Sequence, residues 1–413
     1  MPDPARAEAA PHPTHRVRWW LLAGIWLSYF VFGCIVASLA PLVEPIARSL
    51  DLGDAAMGAI FGLWPLVYIG TALPAGVLLD RIGVRRGLLI ALGIMALSAA
   101  LRGLAPNALS FALAVALFGL GGPLVSVGAP KLIAGLFSGP ARGTAMGVYI
   151  TGPYLGAIVT LSLTNSVLLP LVGGQWRHVM LLLAGFALVA AMAWWLLSAS
   201  PRARALTGPG PVPVRFSLRA ARDIFGARHV QLVLALAIGV FALNHALNNW
   251  LPTLIEANGA SAVDAGYWAS VPALVGVVGA LAVPRFAVAG RQVRIMTGLV
   301  LAMLLATLLL RAAPGPVLAI GMLAQGIARG AMMTVAVLIL MESPGLPPER
   351  LGLAGGLFFT AAEVGCALGP ALFGAVSQAT GSYHVALLGL SLLCLAMLAI
   401  MPAVARLSRP AAL

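Results

Sequence analysis

Hydrophobic residues run through this chain in long segments, and charged residues or Pro/Gly-rich breaks separate one segment from the next. Most segments hold about 20 residues or more, the length that an α-helix needs to cross a bilayer. The pattern predicts an all-α membrane protein with twelve transmembrane helices, here called crossings 1 to 12. They cover residues 19–43, 58–79, 87–104, 109–136, 143–168, 179–199, 229–254, 265–286, 295–310, 317–341, 351–377 and 384–405.

The composition excludes a soluble protein. Of the 413 residues, 61% are hydrophobic and 9% are charged, and the mean hydropathy is +1.00, whereas soluble domains carry about 25% charged residues. A soluble enzyme domain, a disordered chain and a secreted disulfide scaffold are therefore excluded. Cys34, Cys366 and Cys394 lie singly within apolar segments, so we expect neither a disulfide nor a metal site.

The formal charge of +13 comes mainly from arginines that flank the apolar segments. With a cytoplasmic N-terminus, nineteen arginines lie on the cytoplasmic side and four, Arg48, Arg102, Arg177 and Arg311, lie on the other. Cytoplasmic loops of membrane proteins carry an excess of positive residues. The bias therefore predicts a multi-pass protein of the bacterial inner membrane with both termini in the cytoplasm. It indicates orientation in a lipid bilayer and no nucleic-acid partner.

The chain divides into two similar halves. We predict a cytoplasmic tail (1–18), a six-helix bundle (19–199), a Pro- and Arg-rich cytoplasmic linker (200–228), a second bundle (229–405) and a short tail (406–413). Parallel repeats of this kind place a solute site at the midplane between the halves, which favours a transporter over a membrane enzyme. The repeat pairs, at offsets of 207 to 211, are Gly119 with Gly326, Pro41 with Pro252, and Arg142, Gly147, Thr151 and Gly156 with Arg350, Gly356, Thr360 and Gly365.

Crossing 2 ends in the segment Gly76-Val77-Leu78-Leu79-Asp80-Arg81-Ile82-Gly83-Val84-Arg85-Arg86. It resembles the Gly-x-x-x-Asp-Arg-x-Gly-Arg-Arg signature of the major facilitator superfamily and departs from it only at Val84, although such a basic turn alone could also be a positive-inside anchor. The resemblance covers the whole chain, since the helix count, the central linker and Arg142-Gly143 before crossing 5 fit as well.

This resemblance implies the superfamily fold of two parallel six-helix bundles and transport by alternating access. It also implies a latch of the outward-open state, formed by Asp80, with Arg81 and Gly83 of the same signature, against the cytoplasmic end of crossing 11 and near Arg142. The latch is physically reasonable because the N-terminal amides of a helix attract a carboxylate.

Two observations bear on the branch of the superfamily. Val115 stands four residues before Gly119, where many proton-driven drug exporters carry an arginine, and this counts against drug export. The segments Ala129-Pro130-Lys131-Leu132 in crossing 4 and Asn249-Trp250-Leu251-Pro252 in crossing 7 look most like the cyanate permease and nitroimidazole-transporter branch. That resemblance implies a small anionic or related polar solute.

Arg329 lies near the middle of crossing 10, with Gln325 one turn before it, and Glu363 lies at a similar depth in crossing 11. An arginine at the bilayer centre costs about 2.5–3.5 kcal/mol on insertion scales, so it must find a partner. Two interpretations stay open. Arg329 binds an anionic solute and Glu363 carries the coupled proton once the solute displaces it, or the two residues form a structural ion pair.

Crossing 7 carries a polar stripe, because His245, Asn248, Asn249 and Pro252 recur at helical spacing. The stripe predicts solute contact, with hydrogen bonding between helices as the alternative, and His245 is a rival proton site. Tyr154, Tyr149 and Tyr68 are further candidates for the solute cavity, although each alone is more often a packing residue. Lys131 is expected to reach the headgroups from crossing 4, with solute steering as the alternative.

We therefore predict a secondary active transporter, not an enzyme, that takes up a small anionic or polar organic solute across the inner membrane by symport with a proton. The alternatives are proton-antiport efflux of drugs or metabolites, and sodium in place of the proton. We expect a monomer without cofactors. The sequence contains no Gly-x-x-x-x-Gly-Lys phosphate-binding loop, so direct use of ATP is not expected.

Overall fold

The structure is a computed structural model that describes residues 15–208, 218–288, 290–343, 346 and 351–408. Within this part of the chain every regular element is helical, and twelve segments are long and apolar enough to cross a membrane. Arg350, most of the predicted tails and the middle of the predicted linker lie outside the described residues. The helices that form the crossings are His15–Ala37, Asp54–Leu104 (crossings 2 and 3), Ala108–Leu136, Gly139–Leu163, Trp176–Leu197, Arg228–Ala257, Ala262–Ala282, Gln292–Leu309, Pro316–Met341, Leu351–Thr380 and Tyr383–Leu407.

Crossings 2 and 3 join without the separate loop that the sequence predicts. A single helical run, Asp54–Leu104, contains both, and the chain reverses at Gly83 with φ 80° and ψ 159°. Only glycine adopts this conformation at no steric cost. A side chain here would also meet the carbonyl oxygen of Thr207, 2.6 Å from the position of a Cβ. The Gly83 of the signature therefore makes the turn and leaves room for the segment that follows crossing 6.

Short helices connect the crossings at the two membrane faces. They are Val43–Leu50, Leu169–Leu171, Pro201–Leu206 and Leu218–Gly226, with short 3-10 helices at Ala40–Leu42 and Val283–Phe286 and a π-helical segment at Thr164–Leu168. We call the face where crossing 1 begins and crossing 12 ends the terminal face, and the opposite one the distal face. At the terminal face His229 hydrogen-bonds to Ser343 and Ser408, which ties the start of crossing 7 to the ends of crossings 10 and 12.

Equivalent glycines make equivalent contacts in the two halves. Gly119 of crossing 4 lies against the backbone of Trp64 in crossing 2, and its counterpart Gly326 of crossing 10 lies against Pro272 in crossing 8. Gly156 of crossing 5 touches crossing 1, and its counterpart Gly365 of crossing 11 touches crossing 7. Small residues permit such close helix approach. The structure thus confirms two parallel, repeated six-helix bundles, while the exact bundle and linker boundaries stay predictions.

The two halves meet at the distal face and separate toward the terminal face. Gly58 and Gly62 of crossing 2 lie directly against the backbone of crossing 11, at Pro370 and Ala367. Gly76 lies on the same face of crossing 2 as Gly58, since 18 residues make five helical turns. Yet a side chain added at Gly76 would meet no atom within 4 Å. A cleft between the bundles therefore opens to the terminal face.

Replacing Gly369 by leucine should destabilise the protein. A Cβ at residue 369 would lie only 2.7 Å from the Cα of Ala242 in crossing 7. Overpacking of this kind costs about 1–3 kcal/mol. Gly185→Leu is the matched control, since Gly185 is exposed and has no atom within 4 Å of that position. Thermal unfolding of the purified variants in detergent measures the difference, and equal melting temperatures would show that crossings 7 and 11 do not pack closely.

Candidate functional site

Aromatic side chains of the first half line the centre of the cleft. The ring of Tyr29 in crossing 1 stacks on that of Tyr149 in crossing 5 at 5.5 Å. Tyr68 of crossing 2 hydrogen-bonds to Ser126 of crossing 4, and Tyr154 lies on crossing 5 beside the second half. Phenol groups combine an apolar ring with a hydroxyl that donates and accepts. This wall therefore suits a solute that carries several hydroxyl groups.

Arg329 faces this aromatic wall from crossing 10. Its guanidinium carbon lies 5.8 Å from the centre of the Tyr154 ring, and the charge also acts on His245 of crossing 7. Among the described residues no carboxylate oxygen lies within 4.0 Å of its nitrogens. The aromatic face gives a cation partial compensation, but no described residue accepts a hydrogen bond from the five N–H donors of the guanidinium. Arg329 is therefore a partly buried cation in the middle of the protein that can accept an anion.

Glu363 does not pair with Arg329, which corrects the predicted ion pair. The two residues lie at a similar depth, but crossing 10 packs mainly on crossings 8 and 9, whereas crossing 11 packs mainly on crossings 2 and 7. Glu363 instead contacts the thiol of Cys366 and acts electrostatically on Tyr68 and Tyr29 across the cleft. Its Oε2 atom is buried and has no hydrogen-bond partner. A carboxyl group in this position can hold a proton.

The crossing 7 stripe divides into residues with different surroundings. His245 lies 5.8 Å from the ring of Trp64 and so contacts the first half of the molecule. Asn248 is partly buried, whereas Asn249 is 8% exposed and donates to the carbonyl oxygen of His245 in its own helix. His245 and Asn248 are therefore the members of the stripe that a solute can reach, and Asn249 serves the helix backbone.

Gln325 does not face the cleft, although it lies one turn from Arg329. Its side chain is 1% exposed and its Oε1 atom has no hydrogen-bond partner. The predicted solute contact of Gln325 is thus absent from this conformation.

The sequence profile of the Major Facilitator Superfamily matches residues 25–370. The chain belongs to the Major Facilitator Superfamily. It is 23% identical to the probable galactarate/D-glucarate transporter GudP of Escherichia coli (strain K12), over 94% of this chain and 93% of the relative. It is 25% identical to the probable galactarate/D-glucarate transporter GudP of Bacillus subtilis (strain 168), over 90% and 88%. These relatives are transporters, which confirms the prediction of a transporter rather than an enzyme.

The relatives also correct the predicted branch, since they are named for sugar acids and not for cyanate or nitroimidazoles. The crystal structure of the nucleoside transporter NupG superposes with a TM-score of 0.76 at 14% identity, over 94% of this chain and 98% of that one. At this identity the likeness establishes the Major Facilitator fold alone.

The residues of the superfamily signature bind partners within the first half in this conformation. Asp80 forms an ion pair with Lys131 of crossing 4, so Lys131 contacts a carboxylate instead of reaching free toward the headgroups. Arg142 donates to the carbonyl oxygens of Phe137 and Ala134, and Arg81 is exposed. Among the described residues, the ion pair of Asp80 is with Lys131 and not with crossing 11. The latch of the opposite conformation stays a prediction.

The sequence analysis missed a set of contacts that closes the distal face. The carboxylate of Asp54, at the start of crossing 2, accepts hydrogen bonds from Ser377 at 2.7 Å and from Tyr383 at 3.1 Å. Gln378 accepts from the backbone N–H of Ala55 at 2.8 Å. We call these residues the distal gate. Asp54 lies in the first turn of its helix, where an acidic residue usually complements the helix dipole. Its position in the sequence therefore gave no sign of hydrogen-bond partners in the other half.

Proposed function

We propose that this transporter carries a small hydroxylated carboxylate in symport with a proton. The unpaired guanidinium of Arg329 at the centre of the cleft is the observation that supports this proposal. A guanidinium forms a fork of donors that matches the two oxygens of a carboxylate. The relatives reported above are named as probable transporters of galactarate and D-glucarate, which are polyhydroxylated acids, and such solutes suit the chemistry of the site.

Side chains around Arg329 supply partners for hydroxyl groups. Tyr154 lies beside the guanidinium, and His245 is near enough to feel its charge. Tyr149 and Tyr68 extend the wall toward crossing 2. Asn248 lies one turn beyond His245. A solute whose carboxylate binds Arg329 would place its hydroxyl-bearing carbons along these groups.

Glu363 is the proposed carrier of the coupled proton. A carboxylate without a cation partner is costly to enclose in a site that excludes water. The buried Oε2 atom of Glu363 has no partner, so the side chain takes up a proton before the cleft closes around the solute. The proton leaves when the site reopens to water at the other face. His245 is the rival carrier, since an imidazole can also change charge near neutral pH.

We further propose that the terminal face is cytoplasmic, because the arginine bias places both chain ends inside a bacterial inner membrane. The described conformation is then inward-open. Rocking of one bundle against the other, with breakage of the distal gate, gives the outward-open state. One chain holds both halves and the complete cleft, so the monomer is the proposed working unit.

Purified protein in proteoliposomes tests the coupling. We expect a pH gradient to drive accumulation of a labelled sugar acid by the unmodified protein. Glu363→Gln should lose about tenfold or more of this accumulation, equivalent to about 1.4 kcal/mol, yet keep the exchange of labelled for unlabelled solute at equal pH. His245→Gln is the comparison variant: it removes a group that lines the cleft and therefore changes exchange and accumulation together, but the ratio of pH-driven accumulation to exchange at equal pH should stay that of the unmodified protein.

Two results would contradict the proposal in different ways. Undiminished accumulation in Glu363→Gln would remove this residue from the coupling step. Failure of the unmodified protein to exchange any acid in a panel of aldonates, uronates and aldarates would rule out the proposed class of solute.

A further inference from the structure

A groove lies between crossings 1 and 5, in the part of both helices that is close to the terminal face. It has a volume of about 270 Å³ and is lined by Trp19, Leu22, Ala23, Trp26 and Val148. All five lining side chains are apolar or aromatic, so the groove suits a hydrocarbon chain better than a polar solute.

The groove faces the bilayer and not the solute cleft. Val148 shares one face of crossing 5 with Leu155 and Val159, because these residues recur at i, i+7 and i+11, and the three are 37% to 41% exposed. Tyr149 and Tyr154, which line the cleft, project from other faces of the same helix. In a membrane, an acyl chain of a neighbouring lipid is therefore the group that meets the groove.

Two tryptophans mark the length and the depth of the groove. Trp26 joins the two helices, since its indole Nε1 donates to the hydroxyl of Thr151 in crossing 5 at 3.0 Å. Trp19 lies seven residues earlier, about 10 Å nearer to the terminal face, and its ring packs on that of Phe137 at 5.1 Å. Tryptophan is enriched at the interface between membrane and water. The Trp19 end of the groove thus lies toward the headgroups, and the Trp26 end lies in the hydrocarbon.

Positive charge without an acidic partner lies at the Trp19 end. Arg16 is exposed and shares a face of crossing 1 with Trp19 and Trp26, at i, i+3 and i+10. Arg18 lies over the Phe137 ring at 5.3 Å, and its Nε atom is buried without a hydrogen-bond partner. The helices of crossings 1, 4 and 5 contain no aspartate or glutamate. No carboxylate oxygen of the described residues lies within 4.0 Å of either guanidinium.

An anionic phospholipid matches both features of this place. Guanidinium groups donate in a fork to phosphate oxygens, so Arg16 and Arg18 can hold the phosphate while an acyl chain fills the groove. A zwitterionic headgroup brings a positive group next to the same arginines and gains less from them. The charge at the end of the groove therefore favours a lipid with a net negative headgroup.

We propose that this groove is a binding site for one anionic phospholipid of the leaflet at the terminal face. Its phosphate contacts Arg16 and Arg18, and one acyl chain lies between Trp19 and Trp26. The site uses no residue of the solute cleft, so this proposal and the proposed function succeed or fail separately.

Brominated lipids test the site, because bromine on an acyl chain quenches the fluorescence of a tryptophan that it touches. The purified protein is placed in vesicles of unlabelled phosphatidylcholine, into which brominated phosphatidylglycerol or brominated phosphatidylcholine is introduced stepwise. The signal of the groove is the difference in quenching between the parent and the Trp19→Phe/Trp26→Phe double variant. Phosphatidylglycerol should half-saturate this signal at a mole fraction at least about fivefold lower than phosphatidylcholine, equivalent to about 1 kcal/mol.

Matched variants separate a specific site from general attraction to the surface. Arg16→Gln combined with Arg18→Gln should remove the preference for phosphatidylglycerol. Arg228→Gln combined with Arg406→Gln removes two exposed arginines at the terminal ends of crossings 7 and 12, and should keep it. Ala23→Phe fills the groove with a side chain that adds no tryptophan, so it should reduce the quenching by both lipids.

Four results would overturn the proposal. Equal half-saturation by the two lipids in the parent would show that the groove does not select a negative headgroup. A preference that survives in the Arg16/Arg18 variant, or is lost as fully in the Arg228/Arg406 variant, would assign it to the surface charge in general. Undiminished quenching in Ala23→Phe would place the lipid elsewhere. Reversal of the quenching by an excess of glycerol 3-phosphate in solution would indicate a site for free phosphate compounds instead of a lipid.

Discussion

Arg329→Gln should lose saturable binding of sugar acids while the protein remains folded. Truncating one member of a desolvated charge pair costs about 2–5 kcal/mol, and each 1.4 kcal/mol is about a tenfold change in affinity. We therefore expect a dissociation constant raised from about thirty-fold to more than a thousand-fold. Thermal-shift titration with galactonate measures it, and solute exchange in proteoliposomes should fall to background.

Two further variants separate geometry from charge. Arg329→Lys keeps the positive charge but loses the planar fork that matches a carboxylate, so it should bind the acid with an affinity between those of the other two proteins. Arg48→Gln removes an exposed arginine that pairs with Glu44 at the distal face, far from the cleft, and should leave the affinity unchanged. Full affinity in Arg329→Gln would rule out the proposed anion site.

The stability of Arg329→Gln without solute distinguishes a binding arginine from a structural one. Removing one partner of a buried ion pair typically costs 3–5 kcal/mol, whereas an unpaired cation within a membrane is itself a burden of about 2.5–3.5 kcal/mol. Because Arg329 has no carboxylate partner among the described residues, the variant should melt at the same temperature as the parent or higher. A marked decrease would indicate a structural role instead.

The fold could be predicted because its main determinant is local. Each apolar segment has to span the bilayer as a helix that satisfies its own backbone hydrogen bonds, and the repeat follows from glycines at matching positions such as Gly156 and Gly365. The turn at Gly83 was not anticipated as a single residue, because local sequence does not show that Thr207, more than a hundred residues later in the chain, lies against it.

The site was predicted less well, and the reason is geometric. A sequence gives the position of a residue along its helix, and Arg329 and Glu363 do lie near the middle of their helices, Pro316–Met341 and Leu351–Thr380. It does not give the direction in which a helix faces relative to its neighbours. For that reason the predicted pair is absent among the described residues, and Gln325 proves to be buried. The contacts of Asp54 with Ser377 join positions 323 residues apart and leave no local pattern.

The distal gate should be lockable by a disulfide. Asp54 and Ser377 belong to different halves, and their side-chain oxygens lie 2.7 Å apart, so Asp54→Cys combined with Ser377→Cys should cross-link under mild oxidation. Alternating access requires this face to open once in every cycle. The oxidised double variant is therefore expected to transport nothing, and reduction with a thiol should restore activity to that of the reduced variant.

Each single-cysteine variant is the control, and oxidation should leave its transport unchanged. The native cysteines Cys34, Cys366 and Cys394 are buried, so they should not compete for the bond. Binding of galactonate should survive the cross-link in detergent solution, because the cleft still opens to the terminal face and the solute can reach the site from there. Loss of transport with retained binding would show that opening of the distal gate, and not solute recognition, had been blocked. A fully cross-linked protein that still transports would mean that the halves need not part between crossings 2 and 11.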